Sequence, residues 1–564
     1  MIEHYPSQAL SGLTLAIATI LLLAWAHWRS QHTLPLPPGP PSEFLLGHFR
    51  VIPKENAAAV YAKWSREYNS DIIYVRSLGR STVVLNSADV ARDILDKKGA
   101  NFCDRPQFTL LEVMGWGKTL TFLPFGERWQ MHRKLLQTSF SNTNVRQWHS
   151  LQITEARRTI RNIIKKPETW ETSLRRLAVA IVLQVSYGTQ VLEDDDPYIQ
   201  IANDAMYATG NGGVPANSIV DLVPFVRYLP DCIVRDWSLR FARQWRWAIK
   251  KLHDIPFAAA QAEYHRYDHH RNTSLAHNLL REYKDKESRG QEQQWSLDDI
   301  KGAAGAVFIA GADTTWATCV IFILNMVLHP EIQDKAQQEL DTLIGFDKLP
   351  DFSDRPALVY IEHVVQEIYR WSPLAPLGIP HKSLHDDIYK GMHIPKDAPL
   401  RCCHHSDVTR WGGYLISTRT VVYANAYAMA HDERVYKDPH DFNPDRYEAG
   451  EPFPVGNFGF GRRVCVGRFL ADNSVWIMMG SSLSPESVLP MEEPGMLTPL
   501  SLAIPTAPRY FCTLAKLETC TQVFDNVVDT WLTMVFAASH PEHFDCVIKP
   551  RSLAAEALVN SDSE

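Results

Sequence analysis

The sequence predicts a mainly α protein with small β-sheets (α+β), built as a single large helical domain behind an N-terminal transmembrane helix. Three observations predict this. An uncharged apolar run of helical length stands near the start, and amphipathic helical periodicity with short β-rich interruptions fills residues 55–480. No internal repeat, low-complexity stretch or compositional break divides that span. At 564 residues the chain is long enough to bury a large core. Hydrophobic residues at 45% and charged ones at 21% exclude general disorder and a polytopic membrane protein. Lys plus Arg number 57 against 64 Asp plus Glu, a net charge of -7, so no global basic field suggests a nucleic acid partner. The 9 cysteines are odd in number and mostly scattered, without a CxxC pair, which fits a reducing compartment and excludes a disulfide scaffold.

In chain order, residues 1–8 form a short tail before Ala9–Trp28, an uncharged segment able to cross a ~30 Å hydrocarbon core as a helix. No Lys or Arg precedes it, whereas Arg29, Arg50 and Lys54 follow. The positive-inside rule therefore leaves the first residues lumenal and everything downstream cytosolic. A cleavable signal peptide lacks its basic start and its cleavage site here. Residues 29–54 form a linker whose Leu34–Pro41 stretch is stiffened by proline. The domain itself spans 55–552, with strand-like runs at Ile72–Arg76 and Ser81–Leu85, and residues 553–564 form a tail.

A second apolar stretch, Gly302–Leu328, has membrane length but carries Ala310-Gly-Ala-Asp-Thr-Thr315 at its centre. An aspartate there would cost about 2.5–3.5 kcal/mol in a bilayer, which favours a helix buried in protein. Gly311 removes a side chain at one turn, and Thr314 or Thr315 can bond a helix carbonyl, so the helix can open into a notch for a small ligand such as dioxygen. Ordinary helix packing explains the string alone equally well. Glu367 and Arg370 share a helix face, and the proline-stiffened Phe442–Tyr447 loop offers Arg446 as a second cation for the same carboxylate. Phe458-Gly-Phe-Gly-Arg-Arg-Val-Cys-Val-Gly467 places Cys465 just before a helix start, among glycines 459, 461 and 467, which permit close backbone approach to a flat prosthetic group. The helix terminus and Arg462, Arg463 and Arg468 favour a thiolate. A buried structural cysteine would explain Cys465 but not its neighbours.

These strings resemble the cytochrome P-450 family of haem-thiolate monooxygenases, in particular its microsomal fungal secondary-metabolism members. The resemblance runs from the anchor to about Met479 and resumes over His540–Ser552. The Phe458–Gly467 string is highly specific, and the others occur in the family's order and approximate spacing. It implies the cytochrome P-450 fold and haem b, with Cys465 as axial iron ligand. It further implies that Asp313 and Thr314 relay protons toward dioxygen, with Gly311 making room for it. Trp129 and Arg133 of WQMHR, His381 of IPHKS, and Arg463 would meet the propionates, and Phe458 and Gly461 would lie against the cofactor. Glu367, Arg370 and Arg446 would form the family's structural triad. Electrons would come from NADPH through a membrane-bound NADPH-cytochrome P-450 reductase carrying FAD and FMN, with O2 as co-substrate, at the endoplasmic reticulum membrane with a single pass. The reductase would dock beside Cys465 on Arg462, Arg463 and Arg468, unless propionates and backbone claim them.

Pocket walls in the family correspond to Phe108–Thr121, Met206–Pro224, the central helix and Ser372–Pro380 here. Leu110, Val113, Met114, Trp116 and Leu374 make these walls apolar, as core packing also would, and point to a small lipophilic substrate. A terpenoid leads, ahead of a polyketide or an indole or other aromatic scaffold. Two departures stand out. Residues 397–419 interrupt a short strand connection as a surface insertion or intron remnant; Cys402-Cys-His-His405 within them is poorly spaced for a tetrahedral metal site. In 480–539 six prolines between Pro485 and Pro508 replace the helix continuation and terminal β-region expected there. They raise rival readings: a haem-binding but catalytically impaired member, or a peroxygenase or isomerase using the same haem-thiolate. Intact Asp313 and Thr314 favour the oxygenase.

Overall fold

The computed structural model describes residues 35–394 and 420–484, apart from 45, 54–55, 78–79, 214–217, 267–272 and 347, together with four strand segments between 410 and 550 and positions 19, 541, 544, 551 and 559. The anchor at 9–28 apart from position 19, most of the 397–419 insertion, residues 491–540 and nearly all of the 553–564 tail lie outside the described residues.

Helix α1 (Ala57–Glu67) precedes strands β1 (Ile72–Ser77) and β2 (Arg80–Leu85), an antiparallel pair in the register Ile72↔Leu85. Strand alternation explains their continuous burial. Ile72 and Tyr74 face one cluster with Ile94 and Phe102, while Ile73 and Val75 face another with Ala58 and Tyr61 of α1. The helical body follows: α2 (Ala88–Ala91) with a π turn to Lys97, α3 (Thr109–Met114), α4 (Glu127–Ser139), α5 (His149–Lys165), α6 (Trp170–Tyr187), α7 (Pro197–Asn211), α8 (Ile219–Leu222), α9 (Trp237–Arg266) and α10 (Leu275–Ser288).

Helix α11 (Leu297–Leu328) is the only described helix long and apolar enough to span a membrane, yet most of it is buried inside the protein. It is the axis of the core, packed along α6, α9 and α15 (Arg468–Leu483). Its start is fixed by a reciprocal capping box between Ser296 and Asp299. Asp299 also holds Arg128 at 2.9 Å and His132 at 3.0 Å, so one carboxylate ties α4 to the N-terminus of α11. Between α11 and α15 come α12 (Pro330–Leu343) and α13 (Val359–Trp371), then β3 (His381–Lys382), β4 (Asp387–Tyr389), β5 (Met392–Ile394), the short pair β6 (Arg410–Trp411) and β7 (Tyr414–Leu415), β8 (Val421–Ala424) and α14 (Ala426–Ala430). Strand β8 runs parallel to β2 and antiparallel to β3, giving the sheet order β1-β2-β8-β3 and joining distant parts of the chain.

The C-terminal region departs from the sequence expectation. Helix α15 continues through Gly480 to Leu483, and β9 (Glu486–Pro490) pairs antiparallel with β10 (Cys546–Pro550). The helix continuation and a terminal β-sheet are therefore both present. The sequence places a proline directly after Ser484, and a proline has no N–H to supply the next helical bond. Pro490 sits at the end of a strand in a two-stranded sheet, a position that tolerates proline.

Candidate active site

The Cys465 loop is a tight turn closed by the Cys465 N–H donating to the Phe458 carbonyl at 2.7 Å. Gly459 takes φ 75° within it, a conformation that penalises any side chain. Gly461, at φ 55°, also needs to be glycine. A Cβ there would run into the Leu95 carbonyl, and its N–H donates to Asp96 Oδ1 at 2.6 Å. It therefore docks the loop onto the π turn after α2. Phe458 lies edge-on to Tyr369 of α13, with ring centroids 5.6 Å apart.

Electrostatics at Cys465 also differ from the sequence reading. The Cys465 side chain is accessible, yet desolvation by the protein around the loop pushes the thiol pKa up; the Gly467 amide, then the Arg133 and Arg468 guanidiniums, pull it down without overcoming that rise. Arg468 donates to the Cys465 carbonyl at 3.0 Å and Arg133 to the Val464 carbonyl at 2.6 Å. Arg463 instead turns inward and Arg462 is exposed, so neither acts on the sulfur as expected. A thiolate here calls for a further positive charge, which a metal cation supplies.

Between α11 and this loop lies a slot lined by Thr314, Thr315 and Thr318 on one side and by Tyr369, Leu374, Phe458, Ala471 and Val475 on the others. Ala310 and Thr314, one turn apart, are accessible on a helix otherwise mostly buried. Thr314 Oγ1 donates to the Ala310 carbonyl at 2.7 Å, and Thr318 Oγ1 to the Thr314 carbonyl at 2.9 Å. Such back-bonds weaken the helical ladder, as the string suggested. Asp313 is buried 3.6 Å from Arg175 of α6, whose guanidinium also stacks 3.4 Å from the Trp316 ring centre. Gly311 faces Val182, where a Cβ would collide with Cγ1. Its missing side chain admits α6.

A cluster of buried cations stands beside the loop. Arg463 donates to the Cys103 carbonyl at 2.6 Å and the Leu123 carbonyl at 3.1 Å and stacks on Trp129, while its Nη1 is buried without a partner. Arg105, absent from the sequence-derived candidates, is buried nearby and donates to Thr121, Ile379 and Pro380 carbonyls. Burial pushes Arg463 down to about 10 and lowers Arg105 too, with Arg463 adding to the effect at Arg105. His381 Nδ1 must donate to the Phe102 carbonyl, 2.7 Å away. Burial and the Arg105 and Arg463 charges push its pKa down to about 3. The carboxylate beside these groups, Asp104, already holds Lys382 at 2.9 Å. Buried cations without matching anions are costly, so the cluster is complementary to an anionic ligand.

The cytochrome P450 family model matches residues 37–406 and 400–513, so the two matched stretches meet inside the insertion noted above. The chain belongs to the cytochrome P450 family. It is 29% identical to a cytochrome P450 monooxygenase of Armillaria gallica over 98% of this chain and 99% of that one. It is 32% identical to the tryptamine 4-monooxygenase of Psilocybe cyanescens over 82% and 87%. A zebra fish cytochrome P450 solved with abiraterone superposes with a TM-score of 0.61 at 22% identity, covering 88% of this chain and all of that one, which shows the shared fold. P450 enzymes are haem-thiolate monooxygenases, and the residues present fit that cofactor. The orphaned Arg463 Nη1, with Arg105, offers buried positive charge for two propionates, neutral His381 stands beside them, and the slot is bounded by the cysteine loop.

Glu367, Arg370 and Arg446 are brought together in full burial. Arg370 binds both Glu367 oxygens at 2.8 Å, Arg446 Nε reaches Oε1 at 3.1 Å, and Tyr447 donates to Oε2 at 3.0 Å. Arg370 also donates to the Ala430, Pro439 and Asp441 carbonyls, so the cluster staples α13 to the 430–447 segment that leads into the cysteine loop. The string Asp104-Arg105-Pro106 was the available signal for Arg105.

Proposed function

We propose that this P450 is a membrane-anchored, NADPH-dependent monooxygenase acting on a neutral lipophilic molecule of fungal secondary metabolism. The anchor at 9–28, the endoplasmic reticulum location and the cytosolic catalytic domain belong to this reading. Two electrons from NADPH, delivered by an FAD/FMN reductase, and one O2 yield the hydroxylated substrate and water, with two protons consumed alongside the electron pair. The observation that carries it is the buried cation cluster, with Arg463 Nη1 unpartnered, set beside the Cys465 loop.

When bound, haem supplies reductive activation of dioxygen. Cys465 would hold its iron, while Arg105, Trp129, Arg133, His381 and Arg463 would hold its propionates. Propionate charge would reverse two causes of the low His381 pKa, letting Nε2 carry a proton to a carboxylate. Thr314 can turn its hydroxyl from the Ala310 carbonyl into the slot and deliver a proton there. Asp313 would resupply that proton by swinging away from Arg175, taking up a proton from solvent and passing it to Thr314. Ile368, Leu374 and Val475 keep the slot apolar and exclude bulk water. Exposed Arg462 is the loop cation open to a reductase.

A terpenoid is the leading substrate class. Similarity to a tryptamine 4-monooxygenase favours an indole as the second reading. The chain, expressed in membranes with a reductase, should give a strongly red-shifted Soret band on reduction under carbon monoxide, lost in Cys465→Ser. Its absence from the wild-type chain overturns the reading. Peroxide-driven product without NADPH would instead support the peroxygenase, and turnover without O2 the isomerase.

A further inference from the structure

The segment Phe108–Thr121 concentrates buried polar atoms that have no partner: Thr109 Oγ1, Trp116 Nε1 and Thr119 Oγ1. Native proteins rarely leave such groups unsatisfied, because each costs the lost hydration of a polar atom. Trp116 is fully buried, and its indole meets the imidazole of His253 on α9 edge to face, with ring centroids 5.6 Å apart. His253 is itself buried, and its Nδ1 lies 2.8 Å from the Ile249 carbonyl. A carbonyl only accepts, so Nδ1 carries the proton and Nε2 presents a lone pair. That Nε2 is likewise buried without a partner. Burial pushes the ring's pKa down, which keeps it neutral.

The central helix makes room for this pair. A Cβ on Gly305 would lie 2.5 Å from His253 Cδ2 and 2.9 Å from Nε2, and one on Gly302 would strike the Lys118 carbonyl. Gly302 and Gly305, three residues apart on one face of α11, thus receive the 116–119 loop and the Cδ2 side of the His253 ring. Gly115, at φ 122°, lets the same loop settle against Ile249, one turn before His253. Phe122 meets the Trp116 indole edge-on, with ring centroids 5.9 Å apart, and Leu110, Leu111, Met114 and Phe108 of the same segment belong to the hydrophobic core. An indole donor and an imidazole acceptor, in contact and both unsatisfied, match one kind of group: an oxygen with both a proton and lone pairs.

We propose that His253 and Trp116 form a polar anchor in the substrate pocket that takes a hydroxyl group on an otherwise lipophilic substrate, the hydroxyl donating to His253 Nε2 and accepting from Trp116 Nε1. A hydrocarbon satisfies neither atom and a ketone only one. The substrate class is therefore a lipophilic alcohol, already oxygenated before it reaches this enzyme, and the hydroxyl fixes which end of the molecule faces the slot. The inference rests on the monooxygenase reading above.

The test is a Soret titration of the haem-loaded protein with two matched pairs of probes: cedrol against cedrane, and tryptophol against 3-ethylindole. The alcohol of at least one pair should bind about tenfold more tightly than its partner, the factor one buried hydrogen bond supports. His253→Phe and Trp116→Phe should each bring that preference within threefold while keeping the carbon monoxide band, and His253→Gln, which retains an acceptor, should restore part of it. Equal affinities within both pairs, no binding of any of the four probes, or a preference unchanged in the Phe variants overturns the proposal; the last result assigns the two atoms to a trapped water. If His253→Phe fails to fold, Trp116→Phe and His253→Gln decide. Absence of the carbon monoxide band from the wild-type protein removes the monooxygenase reading instead, and this inference with it.

Discussion

Arg463 commits two donors to main-chain carbonyls and keeps Nη1 buried and empty, a costly arrangement unless an anion arrives. A charged hydrogen bond of this kind contributes about 1.5–3 kcal/mol. Arg463→Gln should therefore weaken haem retention by about tenfold to a hundredfold, read as the rate of haem transfer to apomyoglobin, and Arg105→Gln should act in the same direction. Asp313 tests the other wall of the slot. General acid–base groups contribute about 10²–10⁴ in rate. Asp313→Asn should lower product formation at least a hundredfold while the carbon monoxide band stays intact; an unchanged rate would remove it from the proton path. Glycines show where residue type stops informing. At both Gly311 and Gly461 the sequence reported a close approach, and in both the approaching group is protein, Val182 or Leu95, because glycine encodes absence of a side chain and not the identity of the neighbour.

Among the elements, α13 is locked to the segment leading into the cysteine loop by Glu367, Arg370 and Arg446, all essentially without solvent. Breaking a buried ion pair by removing one partner leaves a desolvated charge, at a cost of about 3–5 kcal/mol. Arg370→Ala should lower unfolding stability of the haem-loaded protein by about that much, measured in denaturant, and reduce the haem-loaded yield. A second junction is pH-sensitive. Asp221 of α8 accepts the Leu110 N–H of α3 and the Ser218 hydroxyl, both at 2.9 Å, which ties two pocket-wall elements together. Burial pushes its pKa from 3.8 up to about 6, although those bonds and Arg80 oppose the rise. The folded state then holds a proton that the unfolded chain releases, so stability falls as pH rises from about 4 to about 6 and levels off above. Asp221→Asn keeps an acceptor for Leu110 and should abolish that slope, raising stability at pH 7 by about 1–3 kcal/mol relative to the wild type. Unfolding at pH 4, 5, 6 and 7 checks it.

For the whole molecule, the sheet order β1-β2-β8-β3 joins the N-terminal strands to β8, across the insertion. The strands flanking residues 397–419, β5 and β8, find their partners in β4, β2 and β3, all outside the insertion. A chain lacking 397–419 should therefore keep its carbon monoxide band and give at least as much haem-loaded protein as the full chain. Loss of the band would show that the insertion belongs to the working enzyme.

Part of the candidate site was legible because helix starts, helix opening and ion pairing need particular side chains at short spacings, and Cys465 ahead of α15, Thr314 on the Ala310 carbonyl and Glu367 with Arg370 stand in such strings. The helical class was legible for a similar local reason, since periodicity registers which face is buried. Tertiary structure alone decided what came from far apart in the chain. Arg105 and Arg463 share a cluster, Asp299 joins α4 to α11, β9 finds β10 across residues 491–545, and His253 meets Trp116 against two glycines of the central helix. The physical reason is that a residue's own type and spacing set its local conformation, whereas charge balance and unsatisfied hydrogen bonds depend on neighbours that only folding supplies.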